Sequence, residues 1–268
     1  MTTPVHVSAR NRHMPTSEVA KGFVWVKTPA GRVLTAEALT MHARHAFTTR
    51  DFGAAPTAGA DSLGALAEFL DVERTSIVRV RQVHGCDVID VRAGHELAPG
   101  QAADALVSTD ASRPVAVAVA DCVPVLLADR RRRAVAAVHA GWRGTAARVV
   151  VAAVQALERE GVPPSDLVAA IGPSIGPCCY QVDARVRDAS LTGSPRADEW
   201  FKPDGDGHWR LDLWLANADQ LIEAGVPREA IHVARLCTAD HLDECFSYRK
   251  EGAAAGRLFG AIRLLHQP

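Results

Sequence analysis

This 268-residue chain lacks a long uncharged apolar run, an excess of either charge and a cysteine framework. Asp121 interrupts its longest apolar stretch, so nothing approaches the roughly 18 uncharged residues that a membrane-spanning helix needs. Thirty Lys and Arg against 31 Asp and Glu leave a formal net charge of -1, without the basic footprint of a nucleic-acid binder. The one dense basic run, Arg130–Arg133, is flanked by Asp129 and reads as a solvated turn. Six irregularly placed cysteines are too few to staple a chain of this size, and they fit a reducing cytosol. Residues 1–20 lack the apolar core of a signal peptide and read as a disordered extension, which leaves 21–268 as a single domain. A soluble cytoplasmic protein is expected.

What the chain does contain is alanine and valine in quantity, which blurs helical and strand periodicity. Elements are therefore placed from flanking breakers and β-branched density. Ile77–Gln82 and Val88–Arg92 bracket His84-Gly85-Cys86-Asp87 and read as two strands joined by a tight turn, with His84 at a strand end. Pro114–Ala120 and Val123–Ala128 read as one strand region broken at Asp121-Cys122, with Ala134–His139 as its hairpin partner. That pairing brings Cys122 near His139. Ala140-Gly141-Trp142-Arg143-Gly144 leads to Thr145 as a helix N-cap and to an apolar helix from Ala146 to Glu160. Leu167–Ile171 reads as a strand running into the Gly- and Pro-rich loop Gly172–Tyr180, a site candidate at a strand end. Leu211–Ala224 reads as a helix, Ile231–Leu236 as a strand, and Gly256–Leu265 as a closing strand or short helix. Hairpins mixed with crossover helices argue for an α/β fold, a layered sandwich around a mixed β-sheet.

Residues with chemistry to offer gather at the mouths of these runs. His84, Cys122 and His139 supply two imidazoles and one thiolate, donors that zinc takes when it keeps a fourth, open position. Their spacing is unlike that of a zinc finger and by itself leaves open a buried cysteine beside two hydrogen-bonded histidines. Asp121 suits three roles: orienting a ligand histidine, acting as general base, or capping the strand turn. Arg143 suits an anion held together with backbone amides, or a surface arginine stacked on Trp142. Arg50 and Arg249 each follow an aromatic residue near a strand end, and taken singly each reads as structural. Vicinal Cys178 and Cys179 read as packing residues, because neighbouring cysteines reach one ion only with strain.

Taken together, Gln82-Val83-His84-Gly85, Ala103-Asp104-Ala105-Leu106-Val107, Ala120-Asp121-Cys122-Val123-Pro124, His139-Ala140-Gly141-Trp142-Arg143-Gly144, Gly172-Pro173-Ser174-Ile175 and Phe246-Ser247-Tyr248-Arg249 resemble the laccase-domain family. Its members are also described as polyphenol-oxidase-like proteins, peptidoglycan editing factors and zinc-type purine nucleoside phosphorylases. The resemblance runs from about His45 to about Arg257. It implies a single-domain α/β fold, zinc at His84, Cys122 and His139 with copper as the alternative metal, and cytosolic purine nucleoside chemistry. That chemistry is phosphorolysis of adenosine, inosine, guanosine and methylthioadenosine, and deamination of adenosine. Catalytic parts fall to Asp121, Cys122 and Arg143, and substrate contacts to Arg50, Gln82 and Arg249. A purine nucleoside and inorganic phosphate are the implied partners, with neither nucleic acid nor membrane, in a monomer or weak homodimer. Two segments depart from the family pattern. Asp51–Glu68 lacks its usual Gly-Gly-Val-Ser-like turn and asparagine-containing segment, and Gly252–Arg257 is longer by about one residue.

The implied reaction has phosphate attacking C1′ of the ribose, with Arg50, Arg143 and Arg249 holding the anion and Asp121 or a histidine serving the departing purine. Deamination places an activated water at C6 of adenine. The same residues admit a cysteine hydrolase, with Cys122 as nucleophile and His139 as base, which suits a peptidoglycan-editing amidase. A trigonal copper site suits a polyphenol oxidase, although the chain lacks the dense histidine pairs of a multi-copper cluster. A purely structural zinc needs a fourth protein ligand, for which His45 and Cys178 are the candidates.

Overall fold

The computed structural model describes residues 19–53, 62–94, 97–98, 100–194 and 196–265. The chain opens with strands β1 (Phe23–Thr28) and β2 (Gly31–Ala36), helix α1 (Glu37–Thr40), strand β3 (Ala43–Thr48) and helix α2 (Ser62–Leu70). Strands β4 (Val88–Val91), β5 (Ala105–Ser108), β6 (Val115–Val119), β7 (Val123–Asp129) and β8 (Val135–Ala140) follow. Helices α3 (Trp142–Ala146) and α4 (Val149–Arg159) then lead to β9 (Leu167–Ile171). The remainder comprises β10 (Gln181–Asp183), α5 (Ala184–Gly193), β11 (Phe201–Pro203), β12 (His208–Leu211), α6 (Leu213–Glu223), β13 (Ile231–Val233), α7 (Tyr248–Glu251) and β14 (Leu258–Leu264).

Two large sheets pack face to face. One is antiparallel, in the order β1-β2-β3-β14-β6; the other is mixed, in the order β13-β9-β7-β8-β5-β4. Phe47, Val117 and Ile262 of the first meet Leu106, Leu126 and Ala170 of the second in a shared core. Leu66 and Leu70 of α2 cover the outer face of the first sheet, while α4 and α6 cover the outer face of the second. The molecule is thus an α/β/β/α stack. β7 shows how the sequence asks for it: Val125 and Leu127 pack toward α4 and α6, and Leu126 and Ala128 toward the opposite sheet. With both faces covered, the strand reads as an unbroken apolar run rather than an alternating one.

The expected α/β sandwich is present, but it is built from two large sheets, with a third, three-stranded sheet in the order β10-β12-β11, where the sequence suggests one sheet. The broken strand is the reason. Asp121 takes a left-handed backbone (φ 82), and the chain passes there from β6 in one sheet to β7 in the other. The expected hairpin between β7 and β8 forms, with Pro124 opposite His139. Ile77–Gln82 does not become a strand paired with Val88–Arg92. It makes isolated bridges through Val78 and Arg81 to Val115 and Ala102, and β4 pairs in parallel with β5. The Gln82 side chain takes both backbone groups of Ala118 in β6, each at 2.8 Å, and so ties the end of this segment to the first sheet.

Thr145 lies inside α3 rather than at an N-cap, and Arg148 (φ 63) separates α3 from α4. The Thr145 hydroxyl accepts from Asn217 of α6, and its carbonyl from Gln220, which docks the two helices. Gly256–Leu265 resolves into β14, a central strand between β3 and β6. The arginine-rich turn is held rather than loosely solvated: buried Asp129 accepts from the Arg131 and Arg133 amides and from the Arg133 guanidinium. The proposed extension lies outside the described residues up to position 18; Val19 packs on the core and the Ala20 amide donates to the Ala234 carbonyl. Of the divergent 51–68 segment, 54–61 lies outside the described residues, and Ser62 onward belongs to α2. Among the described residues no helix is long and apolar enough to cross a membrane.

Candidate metal centre and active site

Asp104 precedes β5 and is fully buried. A buried carboxylate must be paired or saturated with donors, and this one is both. Its Oδ1 accepts from His139 Nδ1 (2.8 Å) and the His84 amide (2.9 Å), and its Oδ2 from the amides of Gly85 (2.6 Å) and Val83 (3.2 Å). Burial by itself would raise its pKa, but these bonds prevail and hold it below the usual carboxylate range. One residue therefore orients the His139 ring and shapes the turn that presents His84, which itself sits at φ 62.

His84, Cys122 and His139 converge. Their ligating atoms lie within 4.8 Å of one another, and Cys122 Sγ is 3.9 Å from His84 Nε2. The two imidazoles meet edge to face with centroids 4.8 Å apart. Zinc bonds of about 2.1 Å to nitrogen and 2.3 Å to sulfur, at a tetrahedral angle, separate such atoms by about 3.6 Å. The donor set fits. Asp104 also occupies His139 Nδ1, which leaves Nε2 as the free ligand atom, the usual arrangement behind a metal-bound histidine. Gly141 allows the approach, since a Cβ there would stand 2.9 Å from Cys122 Sγ and 3.1 Å from the His84 ring.

The charge distribution suits a cation or a reactive thiol. Burial tends to raise the Cys122 thiol, yet hydrogen bonds and charge from His139 and His84 outweigh it and bring it down to about 7. Burial opposes charge on His139 as well, but Asp104 and Cys122 raise it to about 9. Above the triad opens a cavity of about 650 Å³ whose wall includes Gln82, Trp142, Arg143, Tyr180, Arg249 and Arg257. Arg143 stacks on Trp142 at 4.4 Å, and Arg249 on Tyr180 at 5.0 Å. The cavity thus joins flat aromatic faces to exposed cations, over a cluster of nitrogen and sulfur donors.

The profile of the family described as multi-copper polyphenol oxidoreductase laccase matches residues 44–265. The chain belongs to this family. A purine nucleoside phosphorylase of Bacteroides thetaiotaomicron is 38% identical over 165 residues, which is 60% of this chain and 60% of that relative. An adenosine deaminase named RL5, from an unknown prokaryotic organism, is 34% identical over 210 residues, 75% of this chain and 80% of the relative. Among solved structures, the hypothetical protein YfiH of Bacillus licheniformis superposes with a TM-score of 0.81 at 29% identity, over 92% of this chain and 100% of that one. The family is described by oxidation, whereas these two named relatives are nucleoside enzymes.

Against that family background, the chain places the expected site residues in two groups. Gln82, His84, Asp121, Cys122, His139, Arg143 and Arg249 all reach the cavity wall. Both carboxylate oxygens of Asp121 are engaged, one by the Thr238 hydroxyl and one by the Arg249 amide, each at 2.6 Å. The orienting role weighed for Asp121 is filled by Asp104. Arg50 stands apart from the cavity, bound to the Cys245 carbonyl and Glu251 and lying 4.3 Å over Phe246. It secures the segment that carries Tyr248 and Arg249. His45 is no fourth ligand, because Nε2 takes the Ala36 amide and Nδ1 meets the Ala43 carbonyl. Cys178 groups with Cys179 and Cys237 instead. Asp104 went unassigned among the candidates, and so did Tyr180 and Arg257; the available signal for Asp104 was a lone carboxylate opening an apolar strand.

Proposed function

We propose that this protein is a zinc-dependent purine nucleoside phosphorylase that also deaminates adenosine, with its metal held by His84, Cys122 and His139. The convergence of those three donors beneath an aromatic and cationic cavity is the observation that carries the reading. The names of the relatives supply the substrate class. A cavity of about 650 Å³ falls in the range of small-ligand pockets and has room for a nucleoside with an anion beside it.

Bound zinc supplies a Lewis acid that polarises phosphate or water. The remaining work belongs to the chain. Asp104 fixes the His139 ring and the His84 turn, so the donors need little reorganisation. Trp142 and Tyr180 offer faces to the purine, and the guanidinium groups of Arg143 and Arg249 hold phosphate oxygens near the ribose. Asp121 serves by positioning the Arg249 backbone and Thr238. Gln82 sets the floor through Ala118.

The test is chromatography of the products after the zinc-loaded protein is incubated with adenosine and phosphate. Adenine with ribose 1-phosphate supports phosphorolysis and inosine supports deamination; the absence of both products refutes the reading. Cys122→Ala is expected to abolish both reactions.

One observation favours a second reading. Cys122, His139 and Asp104 form a chain of nucleophile, base and orienting carboxylate, the arrangement of a cysteine hydrolase. Chelation separates the two, since a thiol hydrolase keeps its activity when the metal is removed.

A further inference from the structure

A second group of thiols lies outside the triad, where two loops meet. Cys178 and Cys179 belong to the loop that follows β9, and Cys237 to the segment after β13; their three Sγ atoms lie within 4.8 Å of one another. The backbone already joins these loops, with Ser174 donating to the Leu236 carbonyl and Thr238 donating back to Ser174. The Gly176 amide donates to Cys237 Sγ at 3.2 Å. Cys237 is buried and Cys178 exposed, so the group is anchored on one side and accessible from the other.

We propose that Cys178, Cys179 and Cys237 form a second metal site, for a thiophilic d10 cation, Zn²⁺ or Cu⁺, separate from the His84, Cys122 and His139 centre. Three thiolates on one such ion, with bonds of about 2.3 Å, stand about 3.8 Å apart, inside the observed spread. Three sulfurs make a softer set than two imidazoles and one thiolate, and they discriminate against hard cations. The adjacency of Cys178 and Cys179 argues for packing when the sequence is read alone, but the fold already holds both sulfurs within 4.8 Å of each other and of Cys237. The third sulfur, brought from another loop, changes the chemistry. Binding releases the thiol protons to solvent as sulfur–metal bonds form, and no electrons are exchanged.

Such an ion would tie the loop bearing Tyr180 to the segment bearing Thr238, whose hydroxyl holds Asp121 beside Cys122. It is therefore a staple behind the cavity wall, and it stands whether or not the substrate is a nucleoside.

The test is a Co²⁺ titration of the reduced, metal-stripped full chain carrying Cys122→Ala, which removes the sulfur of the first centre. A saturating sulfur-to-cobalt charge-transfer band is expected, at one equivalent, and Zn²⁺ or Cu⁺ should displace it. Adding Cys178→Ser or Cys237→Ser should abolish the band. Cys178→Ser is the more informative variant because its side chain is at the surface, and circular dichroism verifies that the fold is retained. Absence of the band in Cys122→Ala, failure of both ions to displace it, or a band unchanged by Cys178→Ser and Cys237→Ser would each overturn the proposal.

Discussion

Asp104 accepts from the His139 ring and from the amides of Val83, His84 and Gly85, so one buried carboxylate serves two of the three residues of the proposed metal site. Asp104→Asn keeps the shape but loses the charge and one acceptor oxygen. Metal affinity should fall by about 10- to 100-fold, as when other partners of a ligand histidine are replaced, and chelator competition measures it. His45 illustrates the opposite case of a ring held neutral. Burial lowers its pKa to about 4, and its Nε2 accepts the Ala36 amide, which requires an unprotonated nitrogen. Because the folded value lies below the unfolded one of about 6.5, this contribution to stability is complete above that pH. It is lost as the pH falls from about 6.5 to about 4, by about 3 kcal/mol. Urea midpoints measured across that window should show a steeper acid loss for the wild type than for His45→Gln. Equal slopes would contradict the assignment.

Among the elements, the hairpin of β7 and β8 does most to assemble the centre. Its register sets Pro124 opposite His139 and so places Cys122, two residues before Pro124, at the mouth of the strand that carries the histidine. Apolar runs separated by an arginine-rich turn make that pairing legible from the sequence. The segment preceding His84 was not legible in the same way. Its extended, β-branched composition suggests a strand, yet Asp104 takes the amides of Val83, His84 and Gly85 in the turn, and the Gln82 side chain docks on the Ala118 backbone of β6. The segment 245–251 depends on another side chain. Arg50 ties the Cys245 carbonyl to Glu251, and its removal frees the stretch that presents Tyr248 and Arg249 to the cavity. Arg50→Ala should therefore raise KM for phosphate and nucleoside more than it lowers kcat, which steady-state kinetics will resolve.

For the molecule as a whole, the triad lies where the two sheets exchange the chain. His84 comes from the segment bridged to β6, Cys122 from the crossing between β6 and β7, and His139 from β8. A metal that binds only the folded form stabilises it by about 2.7 kcal/mol when its free concentration is about 100 times Kd. Differential scanning calorimetry should show Tm rising with zinc and falling with chelator in the wild type. With the second thiol group silenced by Cys178→Ser in both proteins, adding Cys122→Ala should weaken the response to either, and an equal response would remove zinc from the triad.

The family motifs were enough to point to His84, Cys122 and His139, and residue order to the β7–β8 pairing and a layered α/β class, since each depends on neighbours in sequence or on a motif kept intact. Which carboxylate orients His139, how the chain divides between two sheets, and why Cys237 joins Cys178 and Cys179 were decided by the tertiary structure. These depend on contacts between segments far apart in the chain, among them the β5–β8 pairing and the Ser174–Cys237 bridge. Local propensity carries no information about such contacts, because they form only when burial of both sheet faces brings the segments together.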